Sequence, residues 1–325
     1  MNVQVIGAGS WGLALARLLA NNGHAVRLWC REEDGPDELR RTRRSPLYLR
    51  DVLLPESVDV GIETDPNADM AVFAVPSHAM RSAARSHNFS SSTIRVSVAK
   101  GIENETLSRM SEVLSEVHGR RPIVALSGPS HAEEVARDKP TSVVVAGQDP
   151  NACEEVQRAF MSERFRVYTS QDIVGVELGG ALKNVMAIAA GVCDGMDLGD
   201  NAKAALITRG LAEMARLGVR LGAEPLTFAG LSGLGDLVVT CQSRYSRNRA
   251  VGEQIARGFT LDAILAGTPM VAEGVRTARA AQRLSEEYGV EMPIAHQVYQ
   301  ILFAGAHPRD AVAALMLREA KPERG

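Results

Sequence analysis

Six short runs in the first half of the chain are apolar at nearly every position: Val3–Ile6, Ala25–Trp29, Met70–Val75, Ile94–Val98, Ile123–Leu126 and Ser142–Ala146. Runs of that kind predict strands buried on both faces, as in a parallel sheet covered by helices. Helical patterns separate them, and the alternation predicts a doubly wound α/β domain. From about Asp172 the pattern changes. Asp172 is placed to cap a helix running from Ile173 to about Val192. Ile207, Leu211, Met214 and Leu217 recur at helical spacing, with Gly218 and Gly222 as stops. Strand signals are nearly absent beyond that point, so the second part is expected to be all-helical. The break is expected near Tyr168–Gln171, dividing the chain into 1–170, which binds a dinucleotide, and 171–325, which binds substrate. Pro322 to Gly325 read as a loose tail.

Composition narrows the class. The 325 residues are 45% hydrophobic and 23% charged, enough apolar material for two cores. Lys and Arg number 36 against 39 Asp and Glu, a net charge of −3. That argues against a broad basic face for nucleic acid while leaving room for a local anion site. No charge-free apolar run approaches the roughly 18 residues of a membrane span. The opening Met-Asn-Val-Gln-Val also lacks the basic lead and apolar stretch of a secretion signal. Cys30, Cys153, Cys193 and Cys241 lie far apart without zinc-type spacing. A reduced, cytoplasmic protein with no metal is expected.

The first chemical signal follows the first strand. Val3–Ile6 leads into Gly7-Ala8-Gly9-Ser10-Trp11-Gly12, and a helix begins there. Gly7 suits the tight turn, Gly9 lets backbone approach a pyrophosphate, and Gly12 allows close helix–strand packing. Amides at the helix start then form an anion site. The second strand ends in Leu28-Trp29-Cys30-Arg31-Glu32-Glu33. Arg31 suits a 2′-phosphate and favours NADPH, while Glu32 and Glu33 keep NADH open.

Ligands of open parallel sheets sit beyond the carboxyl ends of the strands, and that places Lys100 at a cleft. Gly128 and Ser130 offer an amide and a hydroxyl near a helix start. Lys183, with Asn184, interrupts an apolar helix, so it is either a desolvated lysine able to exchange a proton or one reaching to water from the helix edge. Asp236 falls in a glycine-flanked stretch read as a turn, where it could orient a lysine. Ser246-Arg247-Asn248 opens a helical pattern that could clamp a phosphate, or could be an exposed charged helix start.

Together these blocks resemble the bacterial-type NAD(P)-dependent glycerol-3-phosphate dehydrogenases over nearly the whole chain. They are the glycine loop, Lys100-Gly101-Ile102-Glu103, Ser127-Gly128-Pro129-Ser130-His131-Ala132, Glu177 to Asn184, Gly235-Asp236-Leu237, Ser246 to Arg249, and Glu273-Gly274. Leu13 and Ala99 stand where relatives carry threonine. The resemblance implies an N-terminal Rossmann-like sheet and a cytoplasmic oxidoreductase feeding phospholipid synthesis, with NADP or NAD as cofactor, NADPH preferred. It implies Lys183 as the proton acceptor in oxidation and donor in reduction. Substrate contacts would come from Lys100, Gly128, Ser130, Lys183, Asp236, Ser246, Arg247 and Asn248. Cofactor contacts would come from Gly7, Gly9, Ser10, Trp11, Gly12, Arg31, Lys100, Ala132, Arg247, Val271 and Glu273. The implied partners are a small phosphorylated substrate and, at most, a second copy of the chain, with neither nucleic acid nor membrane. Two other readings stay open: a β-hydroxyacid dehydrogenase, which needs a carboxylate clamp instead of a phosphate one, and a catalytically idle nucleotide-binding regulator.

Overall fold

The structure is a computed structural model that describes residues 1–267, 271–320 and 322–323. The expected tail therefore lies partly outside the described residues, at 324–325. Eight strands form one sheet: β1 (Asn2–Ile6), β2 (Ala25–Trp29), β3 (Asp59–Gly61), β4 (Met70–Phe73), β5 (Ile94–Ser97), β6 (Ile123–Ser127), β7 (Thr141–Gly147) and β8 (Phe165–Ser170). Their spatial order is β3-β2-β1-β4-β5-β6-β7-β8. The first six follow the 3-2-1-4-5-6 order of dinucleotide folds, whose crevice opens where the order reverses, between β1 and β4.

Two expectations are corrected here. The sheet is mixed, because β7 runs antiparallel to β6, pairing Leu126 with Val145. Two strands also escape the pattern. β3 spans only three residues, too few to show a period. β8 alternates, with Phe165 and Val167 buried and Tyr168 exposed; as the last strand in the sheet it keeps one face wet. The expected break near Tyr168–Gln171 thus begins inside a strand.

A 23-residue helix, Ile173–Gly195, forms the axle of the helical part. Asp172 caps it by accepting from the Gly175 amide at 2.8 Å. By length and composition it could cross a membrane, yet 94% of its apolar window is buried inside the protein. It packs closely against the helix Arg247–Ala256. A Cβ on Gly191 would lie 1.9 Å from the Arg249 carbonyl oxygen, and one on Gly252 equally close to that of Ile188. Glu177, one turn into the axle, is buried and accepts from Arg109 (2.6 Å) and from both the amide (2.8 Å) and hydroxyl (2.6 Å) of Ser111. The axle is thereby pinned to the start of the helix Met110–His118, which packs on the sheet.

A second buried carboxylate makes a testable contribution to stability. Glu213, in the helix Gly199–Arg220, accepts from the Ile294 (2.8 Å) and Ala295 (3.2 Å) amides at the start of the helix Pro293–Phe303. Burial pushes its carboxyl up to about 7. Below the unfolded value of about 4.3 both states hold the proton; above it the folded state binds the proton more tightly, so stability falls as pH rises through 7. The loss is on the order of 3 kcal/mol by about pH 8. Glu213→Gln keeps an acceptor and removes the charge. Its melting temperature should vary less between about pH 5 and about pH 8 than that of the parent. Parallel melting curves would defeat this account.

Candidate active site

A cleft of about 450 Å³ opens between the sheet and the axle. A larger cavity, about 1190 Å³, lies between the helices Gly199–Arg220 and Pro293–Phe303 and the end of the chain. It is mostly apolar, and its buried carboxylate, Glu213, is tied to backbone amides. The chemistry therefore selects the smaller cleft.

Its floor at the sheet is the glycine loop. Gly7 has φ +110°, which favours glycine, and a Cβ there would lie 2.7 Å from the Ala74 carbonyl oxygen. A Cβ on Gly12 would lie 1.9 Å from the Gly7 carbonyl oxygen. Space beside Gly9 is open to 4 Å. The helix Ser10–Asn21 starts there without a side-chain cap, so its first amides remain available to an anion. Trp11 Nε1 is buried with no partner among the described residues. An open cradle, bare amides and an orphaned donor fit a dinucleotide pyrophosphate.

At the other wall three charged groups interlock. Lys183 is 5% exposed, and its Nζ donates to Asp236 Oδ1 at 2.7 Å and Thr240 Oγ1 at 2.7 Å. Lys100 Nζ donates to Asp236 Oδ2 at 2.8 Å, the Gly128 carbonyl at 2.8 Å and Ser130 Oγ at 3.2 Å. One carboxylate, 1% exposed, thus bridges two ammonium groups. Burial lowers the Lys183 pKa, Asp236 opposes that and Lys100 adds to it, leaving it at about 8. Burial alone would raise the Asp236 carboxyl, but the two lysines outweigh it and hold it below its usual range. A lysine with a pKa of about 8 can release and regain its proton near neutral pH, which an exposed lysine does not. The alternative of a lysine reaching out to water is excluded.

Arg247 opens the helix Arg247–Ala256, whose cap is Ser246 Oγ accepting from the Arg249 amide at 3.2 Å. Its guanidinium has no acceptor among the described residues, and burial lowers its pKa while Glu133 and Glu273 oppose this from a distance. An unpaired, partly desolvated cation beside the bare first-turn amides of Arg247 and Asn248 is an anion site in waiting.

Among the residues singled out from sequence, Gly7, Gly9, Ser10, Trp11, Arg31, Lys100, Ser130, Ala132, Lys183, Ser246, Arg247, Asn248, Val271 and Glu273 line this cleft. Gly12 sits behind the loop, and Asp236 behind the two lysines. Three local expectations change. Asp236 is not in a turn: it is the first residue of the helix Asp236–Gln242, entered through a π-helical segment at Leu231–Gly235. Gly128 offers its carbonyl to Lys100, a role not expected of it. The Asn248 side chain is already engaged, donating to Asn184 Oδ1 at 2.9 Å and accepting from the Gly274 amide at 2.9 Å. Glu273 accepts from the Ser77 amide at 2.8 Å.

Sequence reasoning missed several residues. Thr240 completes the Lys183 shell one helical turn after Asp236, a spacing visible in the chain. Asn184, noted in the sequence only as a break in the apolar helix, donates to the Lys100 carbonyl at 3.0 Å. His131 Nε2 is buried with no partner among the described residues, and its ring lies 6.0 Å from that of Tyr245. Asp34, which grips Arg31, gave no signal apart from its neighbours Glu32 and Glu33.

Comparison with known proteins agrees over the whole length. Two family models match: the NAD-dependent glycerol-3-phosphate dehydrogenase N-terminus over residues 2–153 and its C-terminus over 172–313. The chain is 53% identical over 332 residues to the glycerol-3-phosphate dehydrogenase (NAD(P)+) of Syntrophotalea carbinolica, covering 99% of each. It is 51% identical over 324 residues to the protein of that name from Pelotomaculum thermopropionicum, covering 97% of this chain and 93% of that one. The crystal structure of glycerol-3-phosphate dehydrogenase from Coxiella burnetii superposes with a TM-score of 0.93 at 36% identity, over 98% of this chain and 99% of that one.

Proposed function

The chain belongs to the NAD-dependent glycerol-3-phosphate dehydrogenase family, and on that premise we propose how each part of its cleft serves the reaction. The reaction interconverts dihydroxyacetone phosphate and sn-glycerol 3-phosphate with NAD(P)H, and its product feeds glycerophospholipid synthesis. The observation that carries the assignment is the buried Lys183–Asp236–Lys100 array, whose two lysines line the same cleft as the unpaired Arg247.

When bound, the nicotinamide supplies or accepts the hydride at C2 of the substrate. The glycine loop and the first turn of Ser10–Asn21 would hold the pyrophosphate, with Trp11, Ala132, Val271 and Glu273 flanking the cofactor. Arg247 and the first-turn amides beside Ser246 and Asn248 would take the substrate phosphate. Binding energy from that remote group fixes the reacting carbon in place. Lys183 Nζ then donates its proton to the C2 oxygen as negative charge develops in reduction, and takes the hydroxyl proton in oxidation. Asp236 orients Lys183, and Lys100, backed by Ser130 and the Gly128 carbonyl, adds a second positive group beside the same oxygen.

The organisation as a dinucleotide-binding part, 1–170, and a substrate-binding part, 171–325, belongs to this proposal. So does a cytoplasmic setting, in keeping with four buried cysteines that form no disulfide. A homodimer is proposed with it, for which the exposed Leu226, Met316 and Leu317 supply apolar surface.

The test is oxidation of NADPH, and of NADH beside it, on adding dihydroxyacetone phosphate, with a β-hydroxyacid and NADP+ as the competing reaction. Turnover of the hydroxyacid alone would overturn the assignment. NADPH is proposed as the preferred partner because Arg31 lines the cleft at the end of β2. Arg31→Glu should raise the Michaelis constant for NADPH more than that for NADH, since only NADPH carries the 2′-phosphate. Equal changes would show that Arg31 does not read that phosphate.

A further inference from the structure

Arg31 is not a free cation. Asp34, three residues on and buried, accepts from it through three donors: the Arg31 amide at 3.1 Å and Nε at 3.2 Å, both on Oδ2, and Nη2 at 2.8 Å on Oδ1. The pair closes a 3-10 turn, Glu32–Asp34, that follows directly on β2. Both residues line the dinucleotide end of the cleft, together with Trp29 and Tyr48.

The chemistry of this pair differs from that of a lone arginine. A carboxylate offers about four lone-pair sites, and three donors leave one unused on Oδ1. In NAD-selective dinucleotide folds an acidic side chain about 20 residues beyond the glycines accepts from the adenosine ribose 2′-hydroxyl. Asp34 stands in that region of the chain, whereas Glu32 and Glu33 are exposed. A 2′-phosphate brought to the same place meets the guanidinium, but also a carboxylate within hydrogen-bond distance of it. The attraction for the phosphate is offset by that charge.

We propose that Asp34 is a specificity-determining residue for the dinucleotide, accepting from the ribose 2′-hydroxyl of NADH while moderating the hold of Arg31 on the 2′-phosphate of NADPH. The pair then works as a two-sided reader: its carboxylate serves one cofactor and its guanidinium the other. This rests on the functional reading above and adds to it a reason why one site accepts both dinucleotides.

Asp34→Asn tests it, since asparagine keeps the shape and one acceptor while removing the charge. Dissociation constants are measured by tryptophan fluorescence for NADPH and NADH, and for the half-molecules 2′,5′-ADP and 5′-ADP, with Michaelis constants alongside. Loss of a charge-assisted contact should weaken NADH by roughly ten- to a hundredfold. NADPH should bind as well as before or better, so the NADPH/NADH preference rises at least tenfold, and 2′,5′-ADP gains on 5′-ADP. Asp34→Glu, which restores the charge, should return the preference toward that of the parent. If both dinucleotides weaken alike, Asp34 only props the turn and the proposal fails; an unchanged preference also defeats it. Should Asp34→Asn not fold, Asp34→Ser is read in the same way. Failure of the parent protein to reduce dihydroxyacetone phosphate with either dinucleotide would instead overturn the functional reading, a result separable from a parent that works and a variant whose preference does not move.

Discussion

Lys183→Met is expected to cut turnover of dihydroxyacetone phosphate by about 100- to 10,000-fold, the usual worth of general acid–base assistance, while leaving dinucleotide binding intact. The structure explains why the variant should still fold. Removing one partner from a buried ion pair ordinarily strands a charge at a cost of several kcal/mol. Here Asp236 keeps a second partner, because Lys100 continues to donate to Oδ2 at 2.8 Å. Methionine matches the length and apolar character of the lysine stem it replaces, in a helix buried along nearly its whole length. Lys183→Arg should not restore turnover, since a guanidinium holds its proton at working pH. The parent enzyme should also show the titration. With a Lys183 pKa of about 8, kcat/KM for reduction needs the protonated form and falls as pH rises through that value. For oxidation the neutral form is needed, and kcat/KM rises over the same range. Turnover within about tenfold of the parent, with binding intact, would mean that another group handles the proton.

Arg247→Ala carries the second large effect, and it has two signs. Loss of a charge-assisted contact to the substrate phosphate should raise the Michaelis constant for dihydroxyacetone phosphate roughly ten- to a hundredfold. Unphosphorylated dihydroxyacetone should lose far less. Stability should move the other way or stay level. The guanidinium is partly desolvated and has no acceptor among the described residues, so deleting it removes an uncompensated burial cost instead of a contact. A melting temperature equal to or above that of the parent, measured without substrate, would accompany the weakened binding. A clear drop in stability would show that Arg247 braces the helix start, and an unchanged Michaelis constant would remove it from the phosphate site.

Much of this was legible in the chain because the signals are local. Strand β2 was read to the residue, since five apolar-leaning positions between polar turns have one good solution. The cap at Asp172 and the glycine loop were legible for the same reason: a side chain and an amide three residues away, or three glycines at fixed offsets, meet through local geometry alone. The strands β3 and β8 were not. The first is too short for a period, and the second, at the sheet edge, has the mixed pattern of a half-wet strand. The antiparallel turn at β7 also left no mark, because a buried strand has the same composition in either direction.

At the active site the division is sharper. Sequence determined which residues could do the chemistry: an isolated lysine in an apolar helix, a carboxylate among glycines, a Ser-Arg-Asn helix start. It could not give the sign of the Lys183 shift, because burial and Asp236 pull in opposite directions and their balance depends on distances across 53 residues of chain. Only the fold decided that burial prevails, that Asp236 serves two lysines, and that Arg247 is left unpaired. The same holds for Arg31 and Asp34. Their spacing permits an ion pair, but only the turn after β2 closes it beside the cleft. Local pattern determines which elements form because hydrogen bonding and periodic burial act over a few residues. Electrostatics in a low-dielectric cleft depends on which distant groups the packing brings together, and that information exists only once the chain has folded.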